Sequence, residues 1–176
     1  DDPRVLGLVE LVKRREHDGY AYDGAEASFE LMARRVMGEV PDYFDVNSFR
    51  VMVERRYNAK GTLITVSEAT VKLSVDGREI MSVSEGNGPV NALDNALRKD
   101  IGSLAPYIAD LELVDFKVRI LDGGTGAVTR VLIESADGQG RRWFTVGVSP
   151  NIVDASFQAL LDSITYKLFK DGAKAP

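Results

Sequence analysis

The chain has 176 residues, enough for one main domain and a smaller appendage, with 44% hydrophobic and 28% charged side chains. A net charge of −5 and a pI near 5.0 argue against a nucleic-acid groove or an anionic membrane surface as partner. With no cysteine, no apolar run near the roughly 20 residues of a membrane span and no signal peptide, the expectation is no disulfide, no thiolate nucleophile, no membrane and a cytoplasmic setting.

Residues 4–18 space Val5, Leu8, Val9, Leu11 and Val12 as one face of a short amphipathic helix, which Gly19 ends. The single histidine, His17, lies in the charged run Lys13-Arg14-Arg15-Glu16-His17-Asp18 and reads as solvated surface. One imidazole supports neither a metal site nor Ser/His/Asp catalysis, so no catalytic residue is assigned. After the turn Tyr20-Ala21-Tyr22-Asp23-Gly24, a second helix is predicted from Ala25 to Val36, with Glu26 near its positive end and Arg34-Arg35 near its negative end. Gly38 and Pro41 close it. Few core residues fall here, so residues 1–43 read as a helical linker subdomain and 44–176 as the main domain.

From Phe44 the period changes to two. Phe49, Val51 and Val53 alternate with Arg50, Met52 and Glu54 in a strand reaching about Tyr57. Asn58-Ala59-Lys60-Gly61 is a turn, residues 63–75 form a long strand, Asp76-Gly77 is a two-residue hairpin signal, and 80–84 pair back. A helix is predicted from about Pro89 to Ser103, with Val90, Leu93, Ala96, Leu97 and Ile101 on one face. The order then repeats: strand 111–121, turn Asp122-Gly123-Gly124-Thr125-Gly126, strand 128–135, hairpin Asp137-Gly138, strand 142–148 and helix 152–169. The apolar face of that last helix is read as Ile152, Val153, Phe157, Leu160, Leu161, Ile164 and Leu168, with Trp143, Phe144 and Phe157 in the core. The predicted class is α+β: tandem βββα units with pseudo-two-fold symmetry and six strands, preceded by the linker subdomain. The sheets need a second apolar cover, which a partner subunit would provide.

Two segments carry the functional signal. Gly86-Asn87-Gly88-Pro89-Val90-Asn91-Ala92-Leu93-Asp94 and Gly147-Val148-Ser149-Pro150-Asn151-Ile152-Val153-Asp154 each pass from a strand through a Gly/Ser-Pro turn into a helix, with Asp94 and Asp154 in equivalent places. Helix N-termini presented from tight turns attract anions, which suggests a small-molecule sensor more than a catalyst. The first segment lacks the Lys-Ser/Thr of a phosphate loop and the third glycine of a dinucleotide fingerprint. A plain strand-to-helix turn, with Pro89 at the first helical position, stays open beside carboxylate capture by backbone N–H groups. Asp122–Gly126 reads as a hairpin turn or as a loop that orders over a ligand. Asp94 and Asp154 read as solvated or capping residues, or as partners for a cation or a ligand ammonium.

Tyr20-Ala21-Tyr22-Asp23-Gly24-Ala25-Glu26-Ala27-Ser28-Phe29-Glu30-Leu31 resembles a linker segment of the citramalate synthase branch of the 2-isopropylmalate synthase family. Gly86–Leu93 and Gly147–Ser156 resemble the two signature turns of that family's C-terminal regulatory domain, and the resemblance runs from about Tyr20 to Leu168. It implies that the parent enzyme condenses acetyl-CoA with a 2-keto acid on an N-terminal TIM barrel holding a divalent metal. The barrel and its metal-ligand histidines are not in this sequence, so no cofactor is expected here.

The resemblance further implies a homodimer whose regulatory domains bind the end-product amino acid and inhibit the barrel. Isoleucine is favoured, with leucine, as in 2-isopropylmalate synthase, the alternative within the family. By motif, the effector-binding residues are Gly86, Gly88, Pro89, Val90 and Asn91 of the first turn, and Leu113, Phe116 and Ile120 of the strand Leu113–Ile120. Thr129, Val131, Ser149 and Asn151 complete the set. The carboxylate is expected on the N–H groups after Gly86 and Gly88, the ammonium on a side-chain amide and carbonyls, and the branched side chain in a slot of Leu113, Phe116, Ile120 and Val131. Two departures stand out, because relatives often carry Tyr in place of Phe116 and Asp in place of Asn91. A ligand-free dimerisation scaffold and an autonomous enzyme are the readings from other classes.

Overall fold

Two helices come first, α1 (Pro3–His17) and α2 (Glu26–Val36), and the βββα order expected from the sequence then occurs twice. The first set is β1 (Asp45–Tyr57), β2 (Leu63–Val75), β3 (Arg78–Gly86) and α3 (Pro89–Lys99). After a 3-10 turn at Gly102–Leu104 and the one-turn α4 (Ala105–Ile108) come β4 (Glu112–Ile120), β5 (Thr129–Ala136), β6 (Arg142–Ser149) and α5 (Ile152–Lys170). This is a computed structural model, and it describes residues 3–121 and 127–176. The turn expected at Asp122–Gly126 lies outside the described residues. The chain divides into two compact units, residues 42–106 with 174–176, and residues 1–41 with 107–173.

In the first unit β1, β2 and β3 form an antiparallel sheet in chain order. The central strand alternates as its sequence does: Ser67, Ala69, Val71, Leu73 and Val75 are buried, and Ala92, Leu93, Ala96 and Leu97 of α3 are buried with them. Asp76 (φ 54°) and Gly77 (φ 67°) make the tight β2–β3 turn, since that turn needs positive φ at both positions. The helix expected to reach Ser103 stops at Lys99, because Asp100 is extended (φ −143°, ψ 103°). The Asp76 carboxylate then holds the following turn, accepting from Ser103 N at 2.7 Å and Ser103 Oγ at 2.5 Å.

In the second unit β4, β5 and β6 repeat that order, and α5 packs over β5 and β6. The contact is partly polar. Ser135 and Ser163 hydroxyls lie 2.6 Å apart, Trp143 Nε1 donates to Ser163 at 3.3 Å, and Thr145 Oγ1 donates to the Ala159 carbonyl at 2.8 Å. The buried face of α5 is therefore Ala155, Ser156, Ala159, Leu160, Ser163, Ile164, Lys167 and Leu168. Of the face expected from apolar spacing, Leu160, Ile164 and Leu168 lie on this one and the other four do not. Ile152 is 44% exposed, and Val153, Phe157 and Leu161 are half-buried. Trp143 is in the core as expected, whereas Phe144 is half-buried. Small residues prevail because the helix lies close against the strand: a Cβ on Gly147 would collide with the Ala155 carbonyl oxygen.

The helix α2 belongs to this unit, packing on α5 and β6 with Ala27 and Leu31 fully buried. It closes the open edge of β6. Phe144 N donates to Glu26 Oε1 (3.3 Å) and Val146 N to Ser28 Oγ (3.0 Å), while Val148 N donates to Gln158 Oε1 of α5 (3.1 Å). α1 contributes no buried residue; of its expected apolar face Val5 and Val9 are exposed and Leu8, Leu11 and Val12 are half-buried.

At the far end of α5, Lys167 is buried as an ion pair rather than solvated. Its Nζ lies 3.2 Å from Asp110, 3.2 Å from Asp137 and 2.6 Å from Asp171. Asp137 opens a five-residue loop, longer than the Asp-Gly hairpin expected there, and accepts from Gln139 N (3.0 Å), Arg141 N (3.1 Å) and Arg141 Nε (2.7 Å). Burial pushes this carboxyl up, but the hydrogen bonds from Arg141, Lys167 and Gln139 outweigh it and hold the pKa at about 2.

Two outcomes follow from this packing. Gly147→Ala should cost about 1–3 kcal/mol by overpacking against α5, read from the urea midpoint, and an unchanged midpoint would refute the close approach. A depressed carboxyl stabilises above its unfolded pKa, so Asp137 should contribute about 2 kcal/mol that disappears as pH falls from about 4 to about 2. Urea midpoints of wild type and Asp137→Asn over that range should converge with acid; parallel curves would contradict the assignment.

Candidate functional site

The first signature turn is held from within. Gly88 is the N-cap of α3 in extended geometry (φ −167°), Pro89 is the first helical residue, and Asn91 reaches back so that its Oδ1 accepts from Asn87 N at 3.0 Å. The two N–H groups expected to receive a carboxylate are thus not on offer. The one after Gly86 belongs to Asn87 and is engaged by Asn91, and the residue after Gly88 is Pro89, which has none. The two glycines serve different ends. A Cβ on Gly86 would collide with Ala92 N and lie 2.7 Å from Asn91 Oδ1, whereas one on Gly88 would meet nothing within 4 Å.

The second turn is closed by a true N-cap. Asn151 Oδ1 accepts from Val153 N (2.9 Å) and Asp154 N (3.3 Å), and Ser149 Oγ accepts from Asn151 N (3.1 Å). Asp94 and Asp154 are not equivalent, contrary to the reading from sequence. Asp154 is in the first turn of α5, where Gln158 Nε2 donates to it at 3.2 Å. Asp94 lies deeper in α3, is 4% exposed and pairs with Arg98, so burial raises its pKa and Arg98 draws it back.

The remaining expected residues share one sheet face of the second unit. Directly opposed residues fall in rows across the three strands: Ile120–Thr129–Ser149, Val118–Val131–Gly147 and Phe116–Ile133–Thr145, with Leu113 opposite Ser135 beyond a bulge at Leu113/Asp115. Asp115 fills that bulge by accepting from Phe116 N at 2.9 Å, and hydrogen bonds from Lys117 and Phe116 lower its pKa. Because α5 covers β5 and β6 only, the β4 end of each row is open. Ile120 is 66% exposed, Val118 is 42% exposed, and Leu113 and Phe116 are half-buried. Val131 is fully buried under the helix and Thr129 nearly so, which makes Val131 core rather than the wall of an open slot. The structure thus brings Leu113, Phe116, Ile120, Thr129, Val131, Ser149 and Asn151 into one unit, and Gly86, Gly88, Pro89, Val90 and Asn91 into the other. Val118 was not singled out from sequence, although its alternation with Phe116 and Ile120 signals the same face.

The divalent metal attributed to the parent barrel finds no ligand set here. Among the described residues no group of three or more His, Cys, Asp or Glu is placed to hold a metal ion, and His17 is exposed at the end of α1. Nor, among them, is any helix long and apolar enough to cross a membrane.

Residues 23–168 match the family described as the LeuA allosteric (dimerisation) domain. The chain belongs to that family. Among its relatives are proteins named (R)-citramalate synthase from Aquifex aeolicus (48% identical over 96% of this chain) and Geobacter sulfurreducens (50% over 96%). A probable 2-isopropylmalate synthase from Methanopyrus kandleri is 32% identical over 76% of the chain. The chain spans about a third of the length of the citramalate synthases, 32% of each.

For this LeuA-type domain the capping asparagine gives a direct test. Asn151→Ala should lower stability by about 1 kcal/mol, read from the thermal midpoint. An unchanged midpoint would mean that the α5 N-terminus does not rely on that cap.

Proposed function

We propose that the chain is the regulatory and dimerising part of a citramalate synthase-like enzyme, one that joins acetyl-CoA to a 2-keto acid on a separate metal-dependent TIM barrel, and that it binds isoleucine as a feedback inhibitor. The observation that carries this reading is 48–50% identity to proteins named citramalate synthase over 96% of the chain, within an allosteric-domain match. The open β4 end of the sheet face supports it chemically, since Ile120, Phe116 and Leu113 offer a branched side chain an apolar surface. Apolar side chains on uncovered sheet faces, such as Met81 (64% exposed), suit a second copy of the chain.

One observation favours a second reading, a dimerising scaffold without an effector: Asn91 and Asn151 already engage N–H groups of both signature turns. Melting curves decide between them. Isoleucine at about 100 times its dissociation constant should stabilise by about 2.7 kcal/mol, or several degrees, and more than leucine or valine does. Ile120 is 66% exposed on β4, so Ile120→Ala should leave the unliganded midpoint nearly unchanged and reduce the isoleucine shift. A leucine-only response would move the assignment to the isopropylmalate branch, and silence from all three amino acids would leave the scaffold.

A further inference from the structure

A second feature of the unit formed by residues 1–41 and 107–173 is a cleft of about 540 Å³ among α1, α2 and α5, a size usual for small-molecule sites. Its walls are apolar, from Leu11, Met32, Val36, Phe157 and Leu161. Most of its polar groups answer one another. Ser28 Oγ donates to Asp162 Oδ2 and Arg35 Nη1 to Asp162 Oδ1, both at 2.9 Å. Tyr20 OH donates to Gln158 Oε1 at 2.5 Å, and Tyr22 OH to Met32 Sδ at 3.4 Å.

Arg15 is different. Its guanidinium lies 4.8 Å from the Tyr20 ring centroid and hydrogen-bonds the Tyr20 hydroxyl, and Tyr20 stacks in turn on Tyr22 (6.1 Å, 16°), which leaves the other N–H donors of the fork for a ligand. A guanidinium backed by an aromatic face keeps its planar fork of N–H donors, which matches a carboxylate with two parallel hydrogen bonds. Its charge also reaches the cleft floor: burial raises the Asp162 carboxyl, and Arg35 and Arg15 pull it back.

We propose that this cleft binds a small apolar monocarboxylate, with the carboxylate on Arg15 and the hydrocarbon part against Leu11, Met32, Phe157 and Leu161. An amine is disfavoured, because an ammonium would meet two guanidinium groups and an acid already hydrogen-bonded on both oxygens. The site shares no residue with the proposed effector face and does not rest on that reading.

Isothermal titration with 4-methylpentanoate tests it, with 4-methylpentan-1-amine as the charge control. Wild type should bind the acid, more weakly as salt rises, and bind the amine at least tenfold more weakly. Arg15→Gln should weaken the acid at least tenfold. The unliganded thermal midpoint of Arg15→Gln, read alongside, shows that the variant is folded when the acid is lost. Isoleucine binding that persists in Arg15→Gln while the acid is lost would support two separate sites. No binding of the acid by wild type, equal affinity in Arg15→Gln, or equal binding of acid and amine would overturn the proposal.

Discussion

An edge strand leaves a row of outward N–H groups that must find acceptors, and in the second unit most other features follow from how β6 does so. A buried donor without a partner costs about 1–3 kcal/mol, and β6 has three side chains positioned to prevent that loss. Glu26 and Ser28 can serve only if α2 lies along the strand, which places Ala27 and Leu31 in the core. Gln158 acts from the other side as a strand mimic, accepting from Val148 N and donating to Val148 O at 3.0 Å. Asp154 and Tyr20 then orient that amide. The segment before the first strand is thereby bound into the unit by hydrogen bonding as much as by apolar contact.

The two βββα sets solve one problem with different chemistry. Both need a helix pressed close to the last strand, and both place a glycine there, Gly86 and Gly147. Above that contact α3 of the first set buries Ala92, Leu93, Ala96 and Leu97, whereas α5 of the second is joined to its sheet by hydroxyls of Ser135, Thr145 and Ser163. The capping differs too. Asn91 reaches back from inside α3, while Asn151 stands before α5 and accepts from its first turn. Similar turns in the sequence therefore do not imply two copies of one binding site.

Strand periodicity, the Asp76-Gly77 turn and both strand-to-helix transitions were legible because each depends on local geometry. The family was legible from three separated motifs. The buried face of α5 was not, since Ser156, Ser163 and Lys167 look like solvent-facing residues until their partners on β5, β6 and the Asp137 loop are known. Val131 was misassigned for a related reason: alternation shows which face a residue takes, but not which strand of that face a helix covers. The occupied N–H groups of the first turn depend on a side chain folding back four residues, a contact that residue type alone does not announce.

The hydroxyl seam under α5 also has an optical consequence. Trp143 is the single tryptophan of the chain, and its indole N–H ends on Ser163 within a packed, 3% exposed setting. Indole emission is sensitive to such surroundings, so light from this chain, excited at the red edge where tyrosine does not absorb, reports on one unit only. The other unit is dark at that wavelength. Comparing emission with far-ultraviolet dichroism therefore separates the melting of one half from that of the whole without adding a label.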